Sequence, residues 1–164
     1  RRGVGGVSTA IEIRRATTDD VPALVPLYRT AYQTTADLGY PTGMTDVDPE
    51  YVRSWFDPEE PSAEFVAERD GDIVGAVRVL ESEDHPFAER LAVAPDAQDR
   101  GIGTRLFERV EAYAREQGYD RLQLGTYTGH PFLVDFYEAR GYERYTVWEN
   151  DDADHDYVGY EKPL

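Results

Sequence analysis

The sequence predicts an α/β (α+β) fold in which a mixed β-sheet is covered by helices. Hydrophobic residues make up 40% of the 164 residues, and 12 Tyr, 6 Phe and 2 Trp are among them, so a globular core is expected. Segments that alternate apolar and polar residues follow segments with helical periodicity along the chain, without an internal repeat. We therefore expect a single domain over residues 9–164, preceded by a flexible leader at 1–8.

The first strand and helix are marked by a change of periodicity. "IEIRRAT" (11–17) alternates and predicts a strand. Thr17 or Thr18 is expected to cap the next segment, "TTDDVPALVPLYRTAY", whose apolar residues recur at helical spacing. Pro26 lies inside this pattern and predicts a kink or an early break of the helix.

A long loop and a hairpin are predicted next. Residues 33–49 read as a loop long enough to be a binding loop, and "PEYVRSWFD" as a short helix with Tyr51, Val52, Trp55 and Phe56 on one side. Two alternating segments, 63–69 and 72–81, are joined by Asp70-Gly71 and predict a β-hairpin.

The second half predicts strands on either side of two helices. A strand over 87–95 ends at Pro95, and a helix of about fifteen residues then ends at Gly118. "DRLQLGT" predicts the next strand and "PFLVDFYEAR" a helix. "YERYTVWE" and "DYVGYEK" predict two last strands around the acidic loop "NDDADHD".

The charge of the chain limits its partners. Asp and Glu number 33 against 17 Lys and Arg, and the net charge is −16. Such a chain repels phosphate, so no nucleic-acid partner is expected. The acidic residues are spread over the whole sequence, which is typical of a halophilic protein that molar salt stabilises by screening self-repulsion.

Other chemistry is excluded by composition. The chain has no cysteine, so it has neither disulfides nor a thiolate nucleophile. It has no apolar run long enough to cross a membrane and no secretion signal, which favours a cytoplasmic protein without a membrane partner. Its three histidines, His85, His130 and His155, are scattered, and no metal site is expected.

The stretch "QDRGIGTRL" (98–106) offers two interpretations. A glycine pair before a helix is often only a turn. A helix N-terminus also has unpaired N–H groups and a positive dipole, so it binds anions, and Gly101 and Gly103 would let a phosphate approach the backbone. A Rossmann fingerprint requires a third glycine and a P-loop requires a lysine, and this stretch has neither.

The stretch satisfies Q-x-x-G-x-G, and "RLAVAPDAQDRGIGTRLFERVEAYAREQGYDRLQL" resembles the acetyl-CoA-binding core of the GNAT-superfamily N-acetyltransferases. "FYEARGYE" (136–143) is similar to the F-Y-E-x-x-G-F/Y segment of the same family. The resemblance implies a GNAT-like, mostly antiparallel sheet of about seven strands with a splayed central pair, flanked by about four helices. It also implies acetyl transfer from acetyl-CoA to a primary amine by direct attack in a ternary complex. The alternative is an acyl-CoA-binding regulatory module without efficient transfer.

The resemblance further implies which residues bind acetyl-CoA. The loop and helix start would hold the pyrophosphate, with Arg105 as a supporting charge, and the preceding strand would pair with pantetheine. His130 stands where the family often has a pantetheine-binding asparagine, although it could equally cap the next helix. The predicted cofactor-binding residues are Leu91, Ala92, Val93, Gln98, Asp99, Arg100, Gly101, Ile102, Gly103, Thr104 and His130.

Two residues are candidates for catalysis. Tyr137 matches the family's tyrosine and would protonate the departing CoA thiolate. Glu89 is the candidate general base, on a strand that would place Leu91 and Val93 on the same side. Glu81 and His85 are rivals for this role.

The amine acceptor is expected between the first helix pair and the last hairpin, as in the family. Acidic residues there could attract a cationic amine, although they could equally be halophilic surface charge. Tyr40 and Trp148 would form walls. The family implies a possible homodimer, and the acceptor is a small-molecule or peptide amine. The acidic candidates are Asp46, Asp48, Asp151, Asp152 and Asp154.

Overall fold

A computed structural model describes residues 10–40, 42–81, 84–149 and 156–164, without the side chains of Asp99 and Arg100. The predicted leader at 1–8 and the acidic candidates Asp151, Asp152 and Asp154 lie outside the described residues.

Seven strands and four α-helices are formed by the described residues. The strands are β1 (Glu12–Arg15), β2 (Ser62–Arg69), β3 (Asp72–Leu80), β4 (Phe87–Val93), β5 (Arg121–Tyr127), β6 (Glu143–Trp148) and β7 (Tyr157–Pro163). The helices are α1 (Val21–Asp37), α2 (Pro49–Ser54), α3 (Ile102–Glu116) and α4 (Leu133–Ala139), and 3₁₀ turns cover Thr18–Asp20, Gly43–Asp46 and Pro95–Arg100.

The strands form one sheet in the order β1-β2-β3-β4-β5-β7-β6. β1 is antiparallel to β2, and β7 is antiparallel to both β5 and β6. β4 and β5 are parallel and register at two pairs, Phe87 with Gln123 and Ala88 with Leu124. The predicted mixed, mostly antiparallel sheet of seven strands and its four helices are thereby confirmed.

The chain divides into two compact units. The first unit is formed by the chain up to Arg78 together with Arg90–Arg109, and the second by Val79–Glu89 together with Val110–Leu164. The core of the first unit contains Val21, Leu24, Tyr28, Val52, Trp55, Val66 and Ala92. The buried residues of the second unit include Val110, Ala114, Leu122, Leu124, Tyr142, Val158 and Tyr160.

The entry to α1 is fixed by hydrogen bonds and an ion pair. Thr17 forms a capping box with Asp20 around the 3₁₀ turn that leads into the helix. The Arg14 guanidinium donates to both carboxylate oxygens of Asp20, at 2.9 and 2.8 Å. These bonds hold the pKa of Asp20 below its usual value.

The structure corrects the predicted break at Pro26 and the loop at 33–49. α1 runs through Pro26 and ends at Asp37. A proline inside a helix costs roughly 3 kcal/mol. Burial of Leu24, Val25, Leu27 and Tyr28 gains about 1.5–3 kcal/mol for each aliphatic side chain and outweighs that cost.

The Asp70-Gly71 turn between β2 and β3 is confirmed. Asp70 has a φ of 54° and Gly71 a φ of 85°. Two successive positive φ angles are those of a type I′ turn, which matches the twist of the strands it connects.

The start of α3 packs directly against Gly75 of β3. A Cβ built on Gly75 would lie 2.8 Å from Cγ2 of Ile102 and 3.1 Å from Cδ1 of Leu106. Both helix side chains are completely buried. The helix therefore approaches the strand as closely as it does because position 75 has no side chain.

We expect Gly75→Ala to destabilise the protein by about 1–3 kcal/mol, since the χ1 angle of a helical isoleucine is stiff and Ile102 cannot rotate away. Gly43→Ala is the matched control, because a Cβ at Gly43 would meet no atom within 4 Å. Denaturant unfolding of both variants measures the difference, and equal stability of the two would show that α3 is not held by this contact.

Candidate active site

The loop between β4 and α3 is held against the end of β4. The Gln98 side chain donates a hydrogen bond of 3.3 Å to the carbonyl of Val93. The Ala97 N–H donates to the carbonyl of Ala94, and the Ala97 side chain is fully buried. Gln98, predicted as a cofactor residue, thus also fixes the loop on which the glycines lie.

Gly101 and Ile102 set the start of α3. Gly101 has a φ of 69°, a left-handed conformation that glycine adopts without strain. The first turn contains no acidic residue, and the Arg105 N–H donates to the carbonyl of Gly101 at 3.1 Å. Since no acidic side chain of the first turn offsets the positive dipole end of the helix, this turn suits an anion even in a chain of net charge −16.

The predicted pyrophosphate residues have different positions in this region. Gly103 and Thr104 are partly exposed in the first turn of α3, whereas the Ile102 side chain is buried and offers only its backbone. The side chains of Asp99 and Arg100 lie outside the described part of the chain. Their contribution to cofactor binding stays a prediction.

β4 contains a residue that the sequence does not single out. Arg90 has a φ of 56°, and among the described residues other than glycine only Asp70 also has a positive φ. The predicted common side of Glu89, Leu91 and Val93 assumes an extended backbone, from which Arg90 departs, and it stays a prediction.

A pocket of about 370 Å³ lies in the first unit. Its lining consists of Gly43, Met44, Asp46, Val47, Asp48, Tyr51 and Arg90. Asp46 and Asp48 are therefore in a pocket, as the predicted acceptor site requires. The aromatic residue in the lining is Tyr51, whereas Tyr40 is buried and only 9% exposed.

Tyr137 lies on α4 within a cluster of aromatic rings in the second unit. It is 4% exposed, and its ring centroid lies 6.1 Å from that of Tyr142 and 6.2 Å from that of Tyr160. The Tyr142 hydroxyl donates to Glu111 at 2.8 Å and the Tyr160 hydroxyl donates to Glu138 at 3.0 Å. The hydroxyl groups of Tyr142 and Tyr160 thus have structural roles.

His130 lies two residues before Phe132, the N-cap of α4, and bonds to the start of this helix as the capping alternative predicts, while its contact with pantetheine stays a prediction. Its Nδ1 accepts hydrogen bonds from the N–H groups of Phe132 and Leu133 at 3.2 and 3.1 Å. Burial lowers the pKa of this histidine below 6.5. Because Nδ1 accepts and the ring is neutral, the proton is on Nε2, which has the donor that a pantetheine contact would require.

Glu81, a rival for the general base, has a structural role. One carboxylate oxygen accepts from the Tyr113 hydroxyl at 2.7 Å and the other from the Tyr119 hydroxyl at 3.2 Å. Glu89 is partly exposed on β4, and His85 is partly exposed in the loop before this strand.

Trp148, the second predicted wall, covers two glycines. A Cβ on Gly159 would lie 2.8 Å from its ring, and one on Gly125 would lie 3.3 Å from it. These glycines face each other across β5 and β7. The indole is 42% exposed, and its role as a wall stays a prediction.

Two further observations concern membranes and metals. The helices of the described residues are too short or too polar to cross a membrane. Within the same part of the chain, His, Asp and Glu side chains form no group of three that could hold a metal ion.

Comparison with known proteins places this geometry in a family. Residues 22–142 match the model of the Acetyltransferase (GNAT) family. S-alkylcysteine N-acetyltransferase of Bacillus subtilis is 32% identical over 84% of this chain and 82% of its own. Probable N-acetyltransferase camello of Xenopus tropicalis is 30% identical over 63% of this chain, a match that spans 47% of that relative. The solved structure of ribosomal-protein-alanine N-acetyltransferase from Brucella melitensis is 25% identical and superposes with a TM-score of 0.79 over 93% of this chain and 99% of its own.

We expect His130→Asn to flatten the loss of stability on acidification. The folded pKa of His130 lies below 6.5, so its contribution to stability is complete above pH 6.5 and is lost as the pH falls through the folded pKa. Asparagine keeps a capping oxygen and does not titrate. Denaturant unfolding between pH 7 and pH 5 measures the free energy of unfolding of both proteins. Their many carboxylates are the same and cancel when the two curves are compared. Parallel curves would contradict the expectation.

Proposed function

This chain belongs to the GNAT family of acetyltransferases, and we propose that it transfers an acetyl group from acetyl-CoA to a primary amine by direct attack in a ternary complex. The start of α3 is the observation that carries the proposal. Gly101, the absence of acid from the first turn and the Gln98 bond to Val93 together suit the pyrophosphate of CoA.

The proposed binding of acetyl-CoA uses mainly backbone groups. The N–H groups of residues 100–104 would hold the pyrophosphate, and Leu91, Ala92 and Val93 would pair with pantetheine in the manner of an added strand. Asp99, Arg100 and Thr104 lie along the same loop and helix start. The Nε2–H of His130 would donate to pantetheine while Nδ1 caps α4.

The proposed reaction begins with loss of a proton from the ammonium of the acceptor. Glu89 takes this proton through a water molecule. The amine lone pair then attacks the thioester carbon, a C–N bond forms, and the carbonyl electron pair becomes an oxyanion. A backbone N–H of Leu91–Val93 stabilises that oxyanion by a hydrogen bond.

The positively charged nitrogen of this adduct then loses its second proton to water. Collapse of the oxyanion re-forms the carbonyl group, breaks the C–S bond and releases the thiolate of CoA, which leaves a neutral amide. Tyr137 donates its hydroxyl proton to this sulfur and later recovers a proton from solvent. Its neighbours Tyr142 and Tyr160 donate to Glu111 and Glu138, and Tyr137 is chosen among the three because it matches the tyrosine of the family.

The acceptor of the proposed reaction is a small-molecule or peptide amine. The names of the relatives represent both classes, since one is an S-alkylcysteine N-acetyltransferase and another a ribosomal-protein-alanine N-acetyltransferase. The pocket lined by Asp46 and Asp48 carries negative charge that would attract the ammonium form of either.

We expect acetyl-CoA to bind with micromolar affinity in roughly 2 M KCl and Gly103→Glu to weaken binding by about 10- to 100-fold. A carboxylate in the first turn of α3 would repel the pyrophosphate and obstruct its approach to the backbone. Gln117→Glu adds the same charge just beyond the other end of α3 and should leave affinity unchanged. Calorimetric titration measures all three proteins, with folding checked by circular dichroism.

Absence of acetyl-CoA binding by the folded wild type would contradict the proposal, as would equal affinity of the Gly103→Glu variant. Binding without transfer to any amine would instead favour the acyl-CoA-binding regulatory module.

We expect Tyr137→Phe to lower kcat by roughly 100-fold or more, because general acid catalysis contributes factors of this size. Affinity for acetyl-CoA should remain within about twofold of wild type, since a phenyl ring keeps the packing. Tyr160→Phe is the matched control, and steady-state thiol release measures kcat. Equal effects of the two variants, or a parallel loss of affinity, would contradict the assignment of Tyr137.

A further inference from the structure

We propose that the pocket lined by residues 43–51 and Arg90 selects an acceptor that carries a carboxylate beside its amine, and that Arg90 binds this carboxylate. The acceptor would be a free amino acid or a close derivative of one. This inference rests on the proposed acetyl transfer and deepens it by assigning the acceptor class.

The size of the pocket suits a small acceptor. Its volume of about 370 Å³ lies near the lower end of the range of small-molecule sites. Met44 and Val47 line the pocket at 3% and 4% exposure, and Tyr51, which is 45% exposed, supplies most of the apolar surface as an aromatic face. These three residues could cover the side chain of an amino acid.

The charges in the pocket match a zwitterion. Among the described residues of the lining, Arg90 is the cationic one and Asp46 and Asp48 are the acidic ones. The position of Asp48 is fixed, since its Oδ1 accepts from the N–H of Glu50 at 2.8 Å and caps α2. A guanidinium binds a carboxylate through two parallel hydrogen bonds, whereas an aspartate attracts an ammonium.

The overall charge makes Arg90 necessary for such an acceptor. A chain of net charge −16 repels anions, and the two aspartates add to that repulsion locally. A carboxylate would enter this pocket only against a fixed cation. A polyamine has no carboxylate for Arg90 to bind. The pocket would therefore favour an amino acid over a polyamine, two acceptor classes that the sequence alone does not separate.

The backbone places Arg90 next to the proposed acetyl site. Arg90 directly precedes Leu91–Val93, the strand segment proposed to bind the acetyl end of the cofactor. The positive φ of Asp70 belongs to a hairpin turn, whereas the φ of 56° at Arg90 lies inside β4. Such a conformation is costly for arginine, and its occurrence beside a pocket supports a functional role for this side chain.

The test compares S-methylcysteine with its decarboxylated counterpart, S-methylcysteamine, as acceptors for the full chain with saturating acetyl-CoA. The variants are Arg90→Gln, Arg90→Lys and the control Arg53→Gln, an exposed arginine of α2 outside the pocket lining. We expect wild-type kcat/KM to favour S-methylcysteine by roughly 10- to 100-fold, and Arg90→Gln to abolish this preference by lowering kcat/KM for S-methylcysteine alone. Arg90→Lys should retain part of the preference for S-methylcysteine, and Arg53→Gln should retain all of it.

A wild type that prefers S-methylcysteamine would overturn the inference, as would an Arg90→Gln variant that lowers both acceptors equally while it remains folded and binds acetyl-CoA. If neither amine is acetylated, calorimetry with S-methylcysteine in the presence of CoA decides the matter separately. Binding that Arg90→Gln removes would support the pocket assignment and contradict the proposed reaction. Absence of binding to the wild type would overturn the assignment.

Discussion

The contact between Gly75 and the first turn of α3 is the constraint on which the proposed cofactor site depends. Ile102 and Leu106 lie against a strand position without a side chain, and Gln98 fixes the preceding loop to the last residue of β4. The loop is anchored to β4 at one end and its other end leads into the buried contact at Gly75, so the N–H groups at the helix start are positioned by packing. A site that binds through the backbone needs this kind of support, because backbone N–H groups cannot adjust to the ligand as a flexible side chain does.

Carboxylate–phenol hydrogen bonds stabilise the second unit alongside its ion pairs. Tyr113 and Tyr119 donate to Glu81, and Tyr142 donates to Glu111. Burial and the adjacent Glu111 raise the pKa of Tyr142 above its usual value, so the phenol keeps the proton that it donates. In a chain with few cations, neutral donors can satisfy buried carboxylates without adding to the charge.

Periodicity predicted the elements well because it reports which face is buried. The apolar residues that recur at helical spacing in α3, among them Leu106, Phe107 and Val110, are buried. The pattern predicts Tyr51 and Val52 on one side of α2. Adjacent residues on a helix point in different directions, and Tyr51 lines the pocket whereas Val52 is buried. A glycine inside a strand is a signal of close approach, and Gly75 could have been found that way. The left-handed backbone of Arg90 has no such signal, because it arises from tertiary context.

The ion pair of Lys162 has a consequence for the protein's own chemistry. Lys162 is the single lysine of the chain. Its Nζ donates to both carboxylate oxygens of Glu111, at 3.0 and 3.2 Å, and its side chain is 25% exposed. A reagent that requires a neutral amine must first break this pair. Acylation of this Nζ by an activated acyl donor would therefore remove this cationic partner of Glu111.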